Sequence, residues 1–321
     1  VRPNIIDEDP SDPRRFVPNI EFYITNVCNL TCSNCNRFNN HNFSGWQRWA
    51  DYADVYQQWG QRIRLQRITI MGGEPLLNPT ILDWIDGING IWNKSVQILT
   101  NGTRLNHVPG LYDKLTRSFD SENASIRNWI GVSLHNANDR NRCFETIKQF
   151  LKGPVDYIHK DDSRNVNNAY TMGGDHAFVD SNGVKICVWE YQDFYTAAVQ
   201  RSQSGRFVLF DNDPNEAHSG CGFVRYNCHH FAHGKLYKCA PVALFPEFDQ
   251  QHQFDISDQD RQTINGYRPL TVDEFYSRGQ EFLGNLGNVI PQCKFCPVSS
   301  QFQMNKLFAV SKKLGAVSGY D

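Results

Sequence analysis

Short apolar runs and stretches with apolar residues at helical spacing succeed one another through the first two-thirds of this chain. That alternation restricts its fold more than any other feature. Asn19 to Asn26 (NIEFYITN), Arg67 to Met71 (RITIM), Ser95 to Leu99 (SVQIL) and Trp129 to Leu134 (WIGVSL) read as strands. Between them, Trp46, Trp49, Ala53 and Tyr56 recur at helical spacing behind Ser44 as a cap. Pro79 opens a second helix, which sends Ile81, Trp84, Ile85, Ile88 and Trp92 to one side. Phe144, Ile147 and Leu151 stripe a third around Asn141 to Leu151, and Val155 to His159 and Val184 to Tyr191 add two strands. Strands alternating with helices imply βα units on a parallel sheet, an α/β class protein.

After about residue 205 the pattern changes. Asp211-Asn-Asp-Pro214 interrupts it, Arg225 to Phe231 and Lys235 to Ala240 flank His233-Gly234 as a hairpin, and Thr271 with Glu274 forms a capping box. The division expected is an N-terminal extension over 1–18, a main unit over 19–205 and a small α+β unit over 206–321.

With 321 residues and 40% apolar content the chain can bury a full core. Its formal net charge of −2 gives no electrostatic footprint for bulk nucleic-acid binding or for an anionic membrane. No apolar run reaches the length of a membrane span, and Val1 to Pro18 lacks the basic start and apolar middle of a secretory signal. The expectation is a cytoplasmic protein. Its ten cysteines then point to metal ligation rather than disulfides.

In a parallel barrel, functional groups collect on loops leaving the C-terminal strand ends. Four such loops stand out: Val27 to Cys35 (VCNLTCSNC), Gly72 to Pro75 (GGEP), Thr100 to Gly102 (TNG) and His135-Asn136. Cys28, Cys32 and Cys35 can ligate three irons of a 4Fe–4S cubane, leaving the fourth open to an outside ligand. Gly72 and Gly73 permit close backbone approach, Glu74 offers a carboxylate to an ammonium group, and Pro75 fixes the loop's exit.

Together CNLTCSNC, MGGEP and LTNG resemble the radical S-adenosylmethionine (SAM) superfamily over roughly residues 19–190. The resemblance implies a partial (β/α)6 TIM-like barrel that binds a 4Fe–4S cluster and SAM. It also implies that the reduced cluster cleaves SAM to a 5′-deoxyadenosyl radical, which abstracts a substrate hydrogen atom. Asn101 and Ser133 match positions that contact the SAM carboxylate or ribose in the family. The residue before the third cysteine, usually aromatic or large and apolar, is Asn34 here; Phe38 is expected to take its place against the adenine.

Cys221, Cys239, Cys293 and Cys296 resemble the shortened auxiliary-cluster module called twitch, a relative of the longer SPASM module. They imply a second 4Fe–4S cluster, with a four-thiolate zinc as the rival. Cys228 is left over as a buried residue, an alternative ligand or a hydrogen-atom donor to a substrate radical. Cys143 and Cys187 read as core, and His229, His230 and His233 as solvated residues of the hairpin turn.

The leading expectation is therefore an oxidoreductase acting on a small molecule or peptide, with oxidation assisted by the auxiliary cluster and electrons from a partner such as flavodoxin or ferredoxin. Peptide maturation is the first alternative, although eighteen residues before the first strand are few for a leader-binding domain. Redox-neutral epimerisation or isomerisation is the second. An iron–sulfur electron carrier or sensor is the non-enzymatic one; it would need the cysteines but not GGEP.

Overall fold

Strand residues alternate between two faces of a sheet, and here the large apolar side chains of the central strands go to one of them. The computed structural model describes residues 11–119, 126–162, 174–190, 193–194, 196–225, 228–301, 305–306 and 309–311. Its main sheet contains β1 (Arg15–Tyr23), β2 (Ile63–Met71), β3 (Gln97–Thr100), β4 (Trp129–Leu134), β5 (Val155–His159), β6 (His176–Asp180), β7 (Lys185–Glu190), β8 (His229–Ala232) and β9 (Lys235–Tyr237). Their spatial order is β9-β8-β1-β2-β3-β4-β7-β6-β5. The run from β8 to β7 is parallel throughout, while β9 and β6 pair antiparallel with their neighbours.

The helices α1 (Ala53–Gly60), α2 (Ile81–Trp92), α3 (Leu111–Leu115) and α4 (Arg140–Phe150) share one core with the sheet. Ile20 and Phe22 of β1, Ile68 and Ile70 of β2, Ile98 of β3, Ile130 and Val132 of β4, and Ile186 and Val188 of β7 meet Tyr56, Trp59, Trp84, Ile88 and Ile147 there. Each such side chain contributes roughly 1.5–3 kcal/mol when fully buried, so this side of the sheet dominates stability.

Several expectations need correction. β1 begins at Arg15, so its first four residues belong to the sheet rather than to an extension. Trp46 bridges to Thr25 instead of starting a helix, and the Ser44 hydroxyl bonds Gln251 instead of capping one. The strand β6 was not foreseen, because polar His176 and Asp180 at its ends conceal its apolar centre. Both are buried, with His176 hydrogen-bonded to Tyr157 and Glu190, and Asp180 to Tyr112. β6 separates β5 from β7, which pairs directly with β4.

The hairpin turns through His233 (φ 50°) and Gly234 (φ 69°), the left-handed pair that a two-residue turn requires. It is not a separate layer. Ile20, Glu21 and Phe22 pair with His229, His230 and Phe231, so the sheet continues across the boundary expected near residue 205. The C-terminal strand Ala309–Ser311 in turn pairs antiparallel with Leu30–Cys32 of the cysteine loop. Among the described residues no helix is long and apolar enough to cross a membrane.

Candidate functional site

The chain leaves β1 at Tyr23 and reaches Cys28 through Thr25, Asn26 and Val27. The Gly-Gly-Glu turn after β2 lies directly on this segment: the Gly73 N–H donates to the Thr25 carbonyl (2.7 Å) and the Glu74 N–H to the Val27 carbonyl (2.8 Å). A Cβ at Gly72 would sit 2.5 Å from the Thr25 oxygen, and one at Gly73 2.3 Å from the Val27 oxygen. Both positions require glycine because backbone presses on backbone. The close approach expected toward a ligand is, in the structure, an approach to the cysteine loop itself.

Glu74 also departs from expectation. It is completely buried, with Oε1 accepting from the Leu76 N–H (3.0 Å) and the Thr100 hydroxyl (2.6 Å), and Oε2 from the Asn101 N–H (2.8 Å). Burial raises its pKa, while these three donors oppose that shift. Glu74 is a brace that ties the GGEP turn to the TNG loop rather than an open carboxylate facing an ammonium group. Pro75 begins the short turn Pro75–Leu77 and is buried.

Cys28 and Cys32 are buried and Cys35 is half-buried. The Leu30 N–H donates to Cys28 Sγ (3.4 Å), and Asn101 Nδ2 lies 4.0 Å from the same sulfur. Asn101 Nδ2 also donates to Asn29 Oδ1 (2.9 Å), which locks the TNG loop to the cysteine loop. A sulfur presented as an acceptor to N–H donors suits a thiolate ligand of an iron–sulfur cluster. Among the described residues no three His, Cys, Asp or Glu side chains gather as tightly as a single ion requires. A cubane asks for wider spacing, since each thiolate meets a different iron. Ser133 is buried on β4.

Phe38 does not stand free for an adenine. It is fully buried at a left-handed φ of 64°, stacked on Phe245 (5.7 Å between centroids) and edge-on to Phe248. Its ring belongs to a second apolar cluster with helix Ala240–His252. Asn34 has φ 56°, a left-handed position that asparagine tolerates better than a bulky apolar residue. The backbone of the loop thus accounts for the residue that departs from the family pattern.

The second cysteine set lies at the other end of the strands. Cys228 precedes β8, and Cys239 follows β9 at the N-cap of helix Ala240–His252, where burial pushes its thiol up to about 12. Burial, and then the fields of Cys239, Cys221 and Cys293, drive the Cys296 thiol well above its ordinary pKa, which puts these three within electrostatic reach of it. The backbone at Val242 and Ile290 opposes the upward shift that burial gives the Cys239 and Cys293 thiols. Beside them, the Lys238 ammonium is 4% exposed and donates to the carbonyls of Leu286 and Asn288, both at 2.5 Å. Burial lowers its pKa, and the groups that oppose this are Cys239, Cys293 and Cys221. No carboxylate pairs with Lys238 among the described residues. A buried ammonium needs a counter-charge, and thiolates at the neighbouring cysteines would supply one.

Of the remaining cysteines, Cys187 is buried in a small cluster and Cys143 packs against the main core; burial pushes both thiols up to about 12. Cys228 also rises to about 12 through burial, with Asn19 Nδ2 3.2 Å from its sulfur.

Between the two cysteine sets runs the face of the sheet that the helices leave uncovered. It carries Asn19, Glu21, Thr69, Gln97, Ser133 and Lys185, where the helix-facing neighbours are isoleucine, valine and phenylalanine. Glu21 Oε2 accepts from Arg37 Nη2 (2.6 Å) and lies 3.4 Å from His230 Nδ1. Burial would raise the Glu21 pKa, but Arg37 and His230 together hold it below its ordinary value. Of the hairpin histidines only His233 is exposed; His229 and His230 are buried, since they belong to β8 and not to its turn. The sequence reading missed this trio. Its one visible signal was Glu21, a charge in the middle of a parallel strand.

The family model of the radical SAM superfamily matches residues 22–166, from β1 through the helices and strands that carry the cysteine, GGEP and TNG loops. No curated protein matches the chain. Members of that superfamily use a 4Fe–4S cluster and SAM. The cysteine loop, seated on its glycine turn, thus opens a region, residues 22–166, that matches the radical SAM superfamily.

Proposed function

We propose that this chain is a radical SAM oxidoreductase that carries a second, auxiliary 4Fe–4S cluster and acts on a small substrate at the open face of the sheet. Cys28, Cys32 and Cys35 hold the SAM-binding cluster; Cys221, Cys239, Cys293 and Cys296 hold the auxiliary one. Bound there, the clusters and SAM supply one-electron transfer and a 5′-deoxyadenosyl radical that takes a hydrogen atom from substrate. The protein's own part is positional. Glu74 and Asn101 lock three loops around Cys28, the glycine turn closes against Val27, and the polar face receives the molecule to be oxidised.

The observation that carries the auxiliary assignment is Lys238, a buried ammonium whose available counter-charges are cysteines. A ferredoxin- or flavodoxin-like protein is the proposed electron donor. A redox-neutral epimerisation is the second reading, favoured by Cys228: its raised pKa keeps it a neutral thiol beside Asn19 on the open face, able to return a hydrogen atom.

Anaerobic incubation of reconstituted protein with SAM and dithionite tests the reading. Wild type forms 5′-deoxyadenosine and Cys32→Ala forms none. SAM cleavage retained in Cys32→Ala overturns the cluster assignment.

A further inference from the structure

Resting on the radical SAM reading, we propose that Glu21, Arg37 and His230 seat a small polyhydroxylated substrate on the open face of the sheet. A parallel sheet normally hides both faces behind apolar side chains. Here Glu21, Thr69 and Gln97 sit on three adjacent central strands and remain half-buried, where the helix-facing side chains of the same strands are buried.

Among the described residues, two buried polar atoms in this group lack a partner, and a half-buried carboxylate oxygen lies beside them. His230 is fully buried; its Nδ1 faces Glu21 Oε2, and its Nε2 contacts no polar group. A carboxylate at Nδ1 holds the proton there, which leaves Nε2 a lone pair that needs a donor. Arg37 is 5% exposed, and its Nε–H has no acceptor. Glu21 Oε2 serves both Arg37 and His230, while Oε1 takes no hydrogen bond. Buried polar groups in folded proteins nearly always find partners, so two open ones beside a free carboxylate oxygen mark a place that a ligand completes.

The complement of two acceptors and one donor is a molecule whose groups both donate and accept. Hydroxyls do this: two O–H groups donate to Glu21 Oε1 and His230 Nε2, and a hydroxyl oxygen accepts from Arg37 Nε–H. A carboxylate or phosphate brings only acceptors, leaves His230 unpaired and meets the Glu21 charge. An amine on the same skeleton adds donors and preserves the match. Arg37 follows Cys35 by two residues, and Arg37 Nη2 lies 3.4 Å from Met71 Sδ, so the seat adjoins the cysteine loop and the GGEP turn.

Thermal unfolding of the anaerobically reconstituted, SAM-loaded protein tests this directly. The probes are myo-inositol and glucosamine against succinate, inorganic phosphate and trialanine, each at about 10 mM. At least one polyol is expected to raise the melting temperature by roughly 2–4 °C, and the other three probes to leave it unchanged. Glu21→Gln and His230→Phe are expected to lose the shift while keeping wild-type iron content, and the near-isosteric Glu21→Gln guards against a folding defect in the other. A shift with succinate, phosphate or trialanine alone, a shift with none of the probes, or equal shifts in both variants overturns the proposal. Binding is read without turnover. Absence of 5′-deoxyadenosine would therefore sink the radical reading and leave this result standing, and a missing polyol shift would leave SAM cleavage standing.

Discussion

Glu74 shows how one side chain serves a reaction without facing it. Its carboxylate satisfies two backbone N–H groups and a hydroxyl on two different loops, in a place with no water to replace it. Removing it strands those donors, and a buried unsatisfied donor costs about 1–3 kcal/mol. Glu74→Ala is therefore expected to lose roughly 3 kcal/mol in urea unfolding at neutral pH. A loss below about 0.5 kcal/mol, within the range of ordinary surface substitutions, would instead mean a carboxylate open to a ligand. The GGEP motif was legible in the sequence, but this role was not, since spacing reveals which residues meet and not which atoms are already engaged. Phe38 repeats the lesson: an aromatic near the third cysteine suited an adenine on paper, and the left-handed backbone turns it into the aromatic cluster of helix Ala240–His252.

At the scale of elements, the cysteine loop and the glycine turn act as one piece. Gly73→Ala would place a methyl group 2.3 Å from the Val27 carbonyl and 3.0 Å from Cys28 Cβ, so the two loops must part. Overpacking of this kind typically costs about 1–3 kcal/mol, and here the displaced segment leads into Cys28. The variant is expected to unfold at lower urea and to retain less than half of the wild-type iron at the SAM-binding site. Gly90 of α2 is the contrast, exposed and with no atom within 4 Å of an added Cβ. Gly90→Ala should stabilise by roughly 0.5–1 kcal/mol through helix entropy alone. Equal tolerance of both substitutions would contradict the backbone contact. The strands β2, β3, β4 and β7 were legible because their apolar residues follow a strand period; β6 was not, because its terminal His176 and Asp180 are polar yet buried by partners distant in sequence.

Across the whole molecule, one sheet joins what the sequence divides. β8 carries His230 beside Glu21 on a strand that follows β1 by some two hundred residues, and parallel pairing of that kind leaves no local trace in the sequence. For the same reason the trio of Glu21, Arg37 and His230 stayed hidden while the cysteine motifs, local in spacing, did not. The result is a pair of cysteine sets at opposite ends of adjacent strands with a polar face between them. The central claim is that both sets hold iron. Metal analysis and Mössbauer spectroscopy of a Cys28→Ala, Cys32→Ala, Cys35→Ala triple variant, reconstituted anaerobically, isolate the second set. The account predicts about four irons and four sulfides per chain in one 4Fe–4S signal, against about eight of each in wild type. One zinc per chain, or no bound metal, would contradict it.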